Sequence, residues 1–283
     1  MKLRAGIPTI QEVEALTRDK LFEQHVAFNQ AFLRTHGSAL RKYGRHWGRD
    51  PLRLWSRRWE YPFAAQQVLD LAARASGRMT ILDAGSGVTY FPYFLCDRLP
   101  EARAVCVDND RSYHRQFRRI NRNVPHDRVR FVEASLQDLP LEADSVDAIC
   151  CISVLEHTSA YERILDEFAR VLRPGGLLVL TFDLSLDGRF ELAYPQAREL
   201  LGAIGRRFRA PADFDPLAEL QLMKTPAGLL STDHVRRTEP ELLPWRYPML
   251  KGLHDLLLGK GWTGGFRSKS IYCMAVDAME RAS

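Results

Sequence analysis

Ile81-Leu82-Asp83-Ala84-Gly85-Ser86-Gly87 runs from an apolar, β-branched stretch straight into a pair of glycines. This reads as a strand ending in a tight turn, where glycine lets the backbone approach a ligand and the following helix presents its positive N-terminal dipole. A dinucleotide fingerprint, Gly-x-Gly-x-x-Gly, needs a third glycine at position 90, and Tyr90 stands there. The carboxylate of Asp83 would repel a pyrophosphate and suits a ligand that carries an amino group. A glycine pair alone also serves a plain strand-to-helix turn, so its weight depends on what surrounds it.

The next apolar stretch, Val105-Cys106-Val107-Asp108-Asn109, closes on a second carboxylate, 25 positions after Asp83. A doubly wound sheet hydrogen-bonds ribose hydroxyls with an acidic residue at the end of its second strand. The competing role, capping the helix read over Ser112–Arg122, is open to Asp110 as well. Further apolar, β-branched segments follow at Val129–Val132, Val146–Cys151 and Leu177–Phe182, after a first at Met79–Leu82. Helical patterns separate most of them, at Pro92–Leu99, Ser112–Arg122 and Ala160–Leu172. Strand and helix in alternation predict βαβ units, a mostly parallel sheet and a three-layer α/β core over residues 78–183.

On either side lie two other zones. Residues 1–77 read as a helical cap: Thr9 and Glu12 form a capping box, apolar residues follow at helical spacing to Gly37, and a helix is expected over Pro62–Gly77. Residues 184–283 contain helical patterns at Gln196–Phe208 and Met249–Leu258 and a strand-like Ile271–Val276, around a proline-dotted stretch over 209–248 that resolves into no element. Arg173-Pro174-Gly175-Gly176 reads as a helix stop and a turn into the fifth strand.

Five blocks together, Ile81–Gly87, Val105–Asp108, Phe131–Pro140, Asp144–His157 and Arg170–Gly176, resemble the class I S-adenosylmethionine-dependent methyltransferases, in the branch that acts on small molecules. The resemblance implies a seven-stranded Rossmann-like sheet whose final strand, at Ile271–Val276, is antiparallel, with a helical N-terminal lid and a C-terminal segment that shapes the substrate site. It also implies S-adenosyl-L-methionine as cofactor and S-adenosyl-L-homocysteine as product. Asp83, Gly85, Ser86 and Gly87 would line the methionine end, with Asp83 near the amino group. Asp108 would take the ribose hydroxyls and Asn109 would lie beside the adenine. Ser135 stands where the family usually has an aspartate on the adenine amino group, so the contact there is an uncharged one, with the Leu136 backbone at the ring. Thr89 stands where many relatives have another glycine. Cys151, Ile152 and Ser153 would face the sulfonium and its methyl group.

Methyl transfer from a sulfonium needs mainly alignment of the acceptor, plus a base where the acceptor is a hydroxyl of high pKa. Candidate bases are His157, Asp183 at the end of the fifth strand, and the pair Asp233–His234. Each has a structural alternative, Asp183 in a turn and Asp233 as a helix N-cap. The connector over Arg41–Tyr61 interleaves seven basic residues with Trp47, Trp55 and Trp59, and reads as a lid that would attract an anionic or sugar-like acceptor. Trp59-Glu60-Tyr61 is the part expected at the cofactor. Arg115, Arg118, Arg119 and Arg122 recur on one helical face, which reads as a solvated surface.

The expected activity is therefore methylation of O or N on a small molecule, such as a sugar, glycan precursor or natural-product intermediate. An RNA-modifying methyltransferase is the first rival, opposed by Cys-Ile-Ser-Val at the end of the fourth strand, where an Asn/Asp-Pro-Pro-Tyr motif would be expected, and by a net charge of only +5. The second is an NAD(P)-dependent oxidoreductase or a non-catalytic nucleotide-binding protein. The composition of the 283 residues, 46% apolar and 27% charged, is that of a globular protein. No apolar run approaches the ~20 residues of a membrane span, and the first residues lack the apolar region of a secretory leader, so a cytoplasmic protein is expected. The five cysteines have no metal-ligand spacing and read as buried free thiols, with no metal site.

Overall fold

The computed structural model describes residues 1–45, 48–75, 77–189, 191–244, 256–257 and 265–279. The apolar run at the glycine turn forms β1 (Met79–Ala84), an interior strand of a seven-stranded sheet. Its neighbours are β2 (Ala102–Asp108) and β4 (Val146–Ile152), both parallel to it. Beyond β2 lies β3 (Val129–Glu133), and beyond β4 lie β5 (Leu172–Ser185), β7 (Lys269–Ala278) and β6 (Phe208–Arg209), giving the order β3-β2-β1-β4-β5-β7-β6. β7 is antiparallel to both neighbours, as the resemblance implied, with Ser185 opposite Lys269 and Leu177 opposite Asp277. The Arg173–Gly176 turn falls inside the long β5, where the pairing with β4 shifts register between Val146 and Ala148.

Strands buried on both faces need helices on both faces. On one side α3 (Arg57–Arg74), α4 (Phe91–Arg98) and α5 (Tyr113–Asn121) pack with Ile81, Cys106, Ala148 and Val179 in one apolar cluster. On the other, α6 (Tyr161–Val171) and α7 (Tyr194–Gly205) pack with Leu82, Ile149, Cys151 and Leu180. α5 buries Tyr113, Gln116, Phe117 and Ile120 and leaves Arg115, Arg118, Arg119 and Arg122 exposed, so its arginine row is a solvated face.

The N-terminal elements differ from the periodicity reading in two places. The pattern that ran on to Gly37 is two helices, α1 (Ile10–Leu16) with both halves of the Thr9–Glu12 capping box, and α2 (Lys20–His36). Asp19 divides them, because its carboxylate accepts from the Leu21 N–H and starts a new helix. α3 begins at Arg57, five residues before the proline taken as its start. An internal proline costs a helix about 3 kcal/mol; here Pro62 lies in a stretch where Trp59, Glu60, Tyr61 and Phe63 are all buried, and that burial holds the helix through it. The proline-dotted stretch contains α8 (Pro216–Gln221) and α9 (Thr232–Thr238), short helices capped by Asp215 and Ser231. The helix read at Met249–Leu258 lies outside the described residues, apart from 256–257. Among the described residues, no helix is long and apolar enough to cross a membrane.

Candidate active site

Gly85 and Gly87 follow β1 at φ 70° and 53°, in the left-handed region that favours glycine. A β carbon on Gly85 would lie 2.5 Å from Val154 Cγ2, and one on Gly87 would strike the Tyr43 hydroxyl. Both positions therefore need glycine for space as well as for conformation. The loop amides are engaged within the protein: Gly85 and Ser86 N–H donate to the Val107 carbonyl at 2.8 and 3.1 Å, and Gly87 N–H donates to Asp108 Oδ2 at 3.0 Å. A pyrophosphate bound in dinucleotide fashion would need such amides turned outward.

The turn borders a cavity of about 1190 Å³ across the C-terminal ends of the parallel strands. Asp83, Gly85, Ser86 and Gly87 line it from β1, Asp108 and Asn109 from β2, and Ser135 and Leu136 from the loop after β3. Asp83 is 5% exposed. Burial first, and Asp108 second, push its carboxyl up to about 7 against the pull of Arg57. Such a group ionises fully when a cation arrives beside it. Asp108 also accepts from Asp110 N–H through Oδ1 at 3.2 Å, while Ser135 Oγ accepts from Gln137 N–H at 3.2 Å.

The basic, aromatic connector contributes to the lining of this cavity. Lys42, Tyr43, Pro51, Leu54, Trp55, Arg57 and Tyr61 all line it, whereas Trp47 lies outside the described residues. Tyr61 stacks on Phe91 with 4.8 Å between ring centroids and lies under the Arg57 guanidinium. Residues 57 and 61, one turn apart on α3, face the cavity together. Trp59 and Glu60, grouped with Tyr61 on sequence, are buried beneath it and do not line the cavity.

Glu60 ties α3 to the sheet. Arg57 donates to its carboxylate, and the hydroxyls of Ser153 and Thr181 donate to its Oε1 at 2.7 and 2.5 Å. Burial alone would raise this carboxyl, but Arg57 and the two hydroxyls hold it below the usual range. Arg57 also donates to Ser153 Oγ at 2.7 Å, so one guanidinium ties α3 to the loop after β4. Ser153 lines the cavity at φ 51°, beside Ile152. Cys151 does not reach the cavity. It sits within the ladder between Ala84 and Leu180 and is fully buried, so the strand end, and not the strand itself, forms this wall.

Beyond Ser153 the wall becomes charged. His157, Asp183, Glu191, Arg267 and Lys269 all line it. Lys269 Nζ bridges Asp183 Oδ2 at 3.0 Å and Glu191 Oε1 at 2.5 Å, and Arg267 lies 3.3 Å from the same Glu191 oxygen. Burial raises Asp183 above the ordinary carboxyl range; Lys269 opposes the shift, and Glu60 and Glu191 add to it. Glu156, on the 3₁₀ turn with His157, is raised further by burial and by Asp183, whose N–H donates to it. The other candidate pair lies elsewhere: Asp233 and His234 are on α9, off the cavity, where the cap is Ser231 and Asp233 accepts from the Ser268 hydroxyl.

Sequence reading missed Glu191, Arg267 and Lys269. A lysine opening an otherwise apolar strand, Lys269-Ser270-Ile271, was the available signal for one of them; Glu191 carries none.

Residues 82–180 match the family described as methyltransferase domain. Over 119 residues the chain is 36% identical to a malonyl-[acyl-carrier protein] O-methyltransferase of Laribacter hongkongensis, covering 39% of each. Over 117 residues it is 35% identical to a ubiquinone/menaquinone biosynthesis C-methyltransferase of Syntrophotalea carbinolica, covering 41% of the chain and 48% of the relative. The chain thus spans less than half the length of these curated relatives. In fold it is similar to geranyl diphosphate C-methyltransferase from Streptomyces coelicolor A3(2), with a TM-score of 0.52 at 15% identity over 99% of this chain and 92% of that one. Residues 82–180 thus match a methyltransferase domain, and the glycine turn and the sheet order agree with that match.

Proposed function

We propose that the protein transfers the methyl group of S-adenosylmethionine to oxygen or nitrogen of a small-molecule acceptor. The observation that carries this reading is the buried Asp83 carboxyl, beside a glycine cradle whose amides are turned inward, at the end of a cavity with a second, charged compartment. When bound, S-adenosylmethionine supplies a methyl group on a sulfonium leaving group. The chain's own residues bind and orient. Asp83 would ionise against the cofactor's ammonium, Asp108 would accept from the ribose hydroxyls, Asn109, Ser135 and Leu136 would border the adenine, and Ser153 with Ile152 would form the wall at the methyl group. Tyr61 and Tyr43 would cover the methionine end and exclude water.

Asp183 lines the charged wall with a carboxyl that burial raises, which makes it a stronger base than an ordinary carboxylate and the candidate to take the acceptor's proton; His157 stands at the same wall. The names of the relatives span oxygen and carbon acceptors, and the presence of two carboxylates in this wall favours an acceptor that must lose a proton.

The test is a thermal-shift titration with S-adenosylmethionine, S-adenosylhomocysteine and NADH. At 100 times its dissociation constant a ligand adds about 2.7 kcal/mol of stability. Stabilisation by the two sulfur compounds alone, lost in Asp83→Ala, is the expected result. Stabilisation by NADH alone would overturn the assignment.

A further inference from the structure

Glu191 is placed at a cost. It is not glycine, yet its backbone sits at φ 59°, and its side chain is 8% exposed among charged neighbours. Three basic groups from two elements surround its carboxylate: Lys269 Nζ at 2.5 Å, Arg267 Nη1 at 3.3 Å and His157 Nδ1 at 3.6 Å. All of them line the cavity, with Lys269 on β7, three strands from the β1 that carries the glycine turn. The protein has thus built a carboxylate-binding site in its acceptor wall and filled it with one of its own carboxylates.

We propose that Arg267, Lys269 and His157 form the acceptor's carboxylate subsite, and that Glu191 occupies it until the carboxylate of the incoming acceptor takes its place. This inference rests on the methyltransferase reading of the cavity and narrows its acceptor to a carboxylic acid. The planar fork of an arginine matches a planar carboxylate. Asp183, which shares Lys269, works against a more highly charged phosphate at the same place. Glu191 then screens the basic groups while the acceptor is absent and selects against neutral ligands, which cannot replace its charge.

The experiment is calorimetric titration of glutarate, and separately of inorganic phosphate, into protein saturated with S-adenosylhomocysteine. Glu191→Gln keeps the shape and removes the charge, so glutarate should bind it about tenfold tighter than wild type, the scale of one relieved like-charge contact. Adding Arg267→Gln to that variant should abolish the gain. Arg267→Gln alone should weaken glutarate binding to wild type about tenfold, a readout that stands even if Glu191→Gln does not fold. If both variants take up S-adenosylhomocysteine normally and glutarate affinity does not move, the inference is overturned. A larger gain for phosphate than for glutarate overturns the carboxylate class. Failure of wild type to bind S-adenosylhomocysteine overturns the methyltransferase reading itself.

Discussion

Asp83 shows most clearly how one residue couples folding to ligand. Its carboxyl is raised from the ordinary value to about 7, chiefly by burial. Below pH 4 both folded and unfolded chains hold this proton. Between pH 4 and 7 the unfolded chain releases it first, so the contribution of Asp83 to stability falls through that window and is flat above it. The ceiling on the effect is about 4 kcal/mol, from 1.36 kcal/mol per unit. Asp83→Asn should therefore melt higher than wild type at pH 8 and nearly together with it at pH 4.5. Binding runs the other way. A ligand ammonium selects the ionised carboxylate, so the affinity for S-adenosylhomocysteine should climb as pH rises from 5.5 to about 7 and then level off. In Asp83→Asn that slope should vanish and the affinity should fall by about tenfold or more. Titrations at four pH values decide this, and a slope unchanged in the variant would remove Asp83 from the cofactor's amino group.

At the scale of elements, α3 is tied to the sheet by an ion pair whose Glu60 carboxylate is fully buried and whose Arg57 is partly covered. Glu60 has no exposure, and its partners Arg57, Ser153 and Thr181 come from α3 itself, the loop after β4 and β5. Removing one member of such a pair strands a charge and costs about 3–5 kcal/mol, whereas removing both together is far milder. Glu60→Gln should accordingly unfold at lower denaturant than wild type, and Arg57→Met/Glu60→Leu should recover most of the loss. A double-mutant cycle by urea denaturation measures the coupling; additive single effects would show that the pair does not tie α3 down. This pair also marks a boundary of what sequence reveals. Arg57 and Glu60 were visible as charges in an arginine-rich connector, but nothing in the spacing says that Glu60 is fully buried beneath Arg57. Pro62 pointed to a helix start at the wrong residue because local rules place proline in the first turn, and here the packing of Trp59 and Phe63 overrides them. The capping box at Thr9, in contrast, was legible because its partners are three residues apart.

Across the whole molecule the same contrast holds between local and long-range order. β1 to β5 and the helices between them could be read from periodicity, since each is an apolar run bounded by turn residues. That the glycine turn and Asp108 border a cavity could be read because this architecture opens its crevice at the strand ends. Glu191, Arg267 and Lys269 could not, since they meet only when β7 inserts antiparallel beside β5 and brings residue 269 opposite residue 185. That insertion has a consequence for cooperativity. Cys96, Cys106, Cys150 and Cys273 lie in the apolar cluster that also holds Trp59 and Phe63 of α3, and Cys151 lies in the cluster on the other face of the sheet. All five thiols are buried, and burial pushes each well above its ordinary pKa. A buried thiol reacts only when its surroundings open. Because β4 contributes Cys150 to one face and Cys151 to the other, neither face can come apart without disturbing the strand shared by both. Labelling of the native protein with a thiol reagent should therefore be slow, and all five cysteines should react in one phase that tracks global unfolding, slowed further by saturating S-adenosylhomocysteine. Early, separate modification of Cys273, followed by mass spectrometry of the labelled peptides, would show instead that β7 and the acceptor wall it carries open independently of the parallel core.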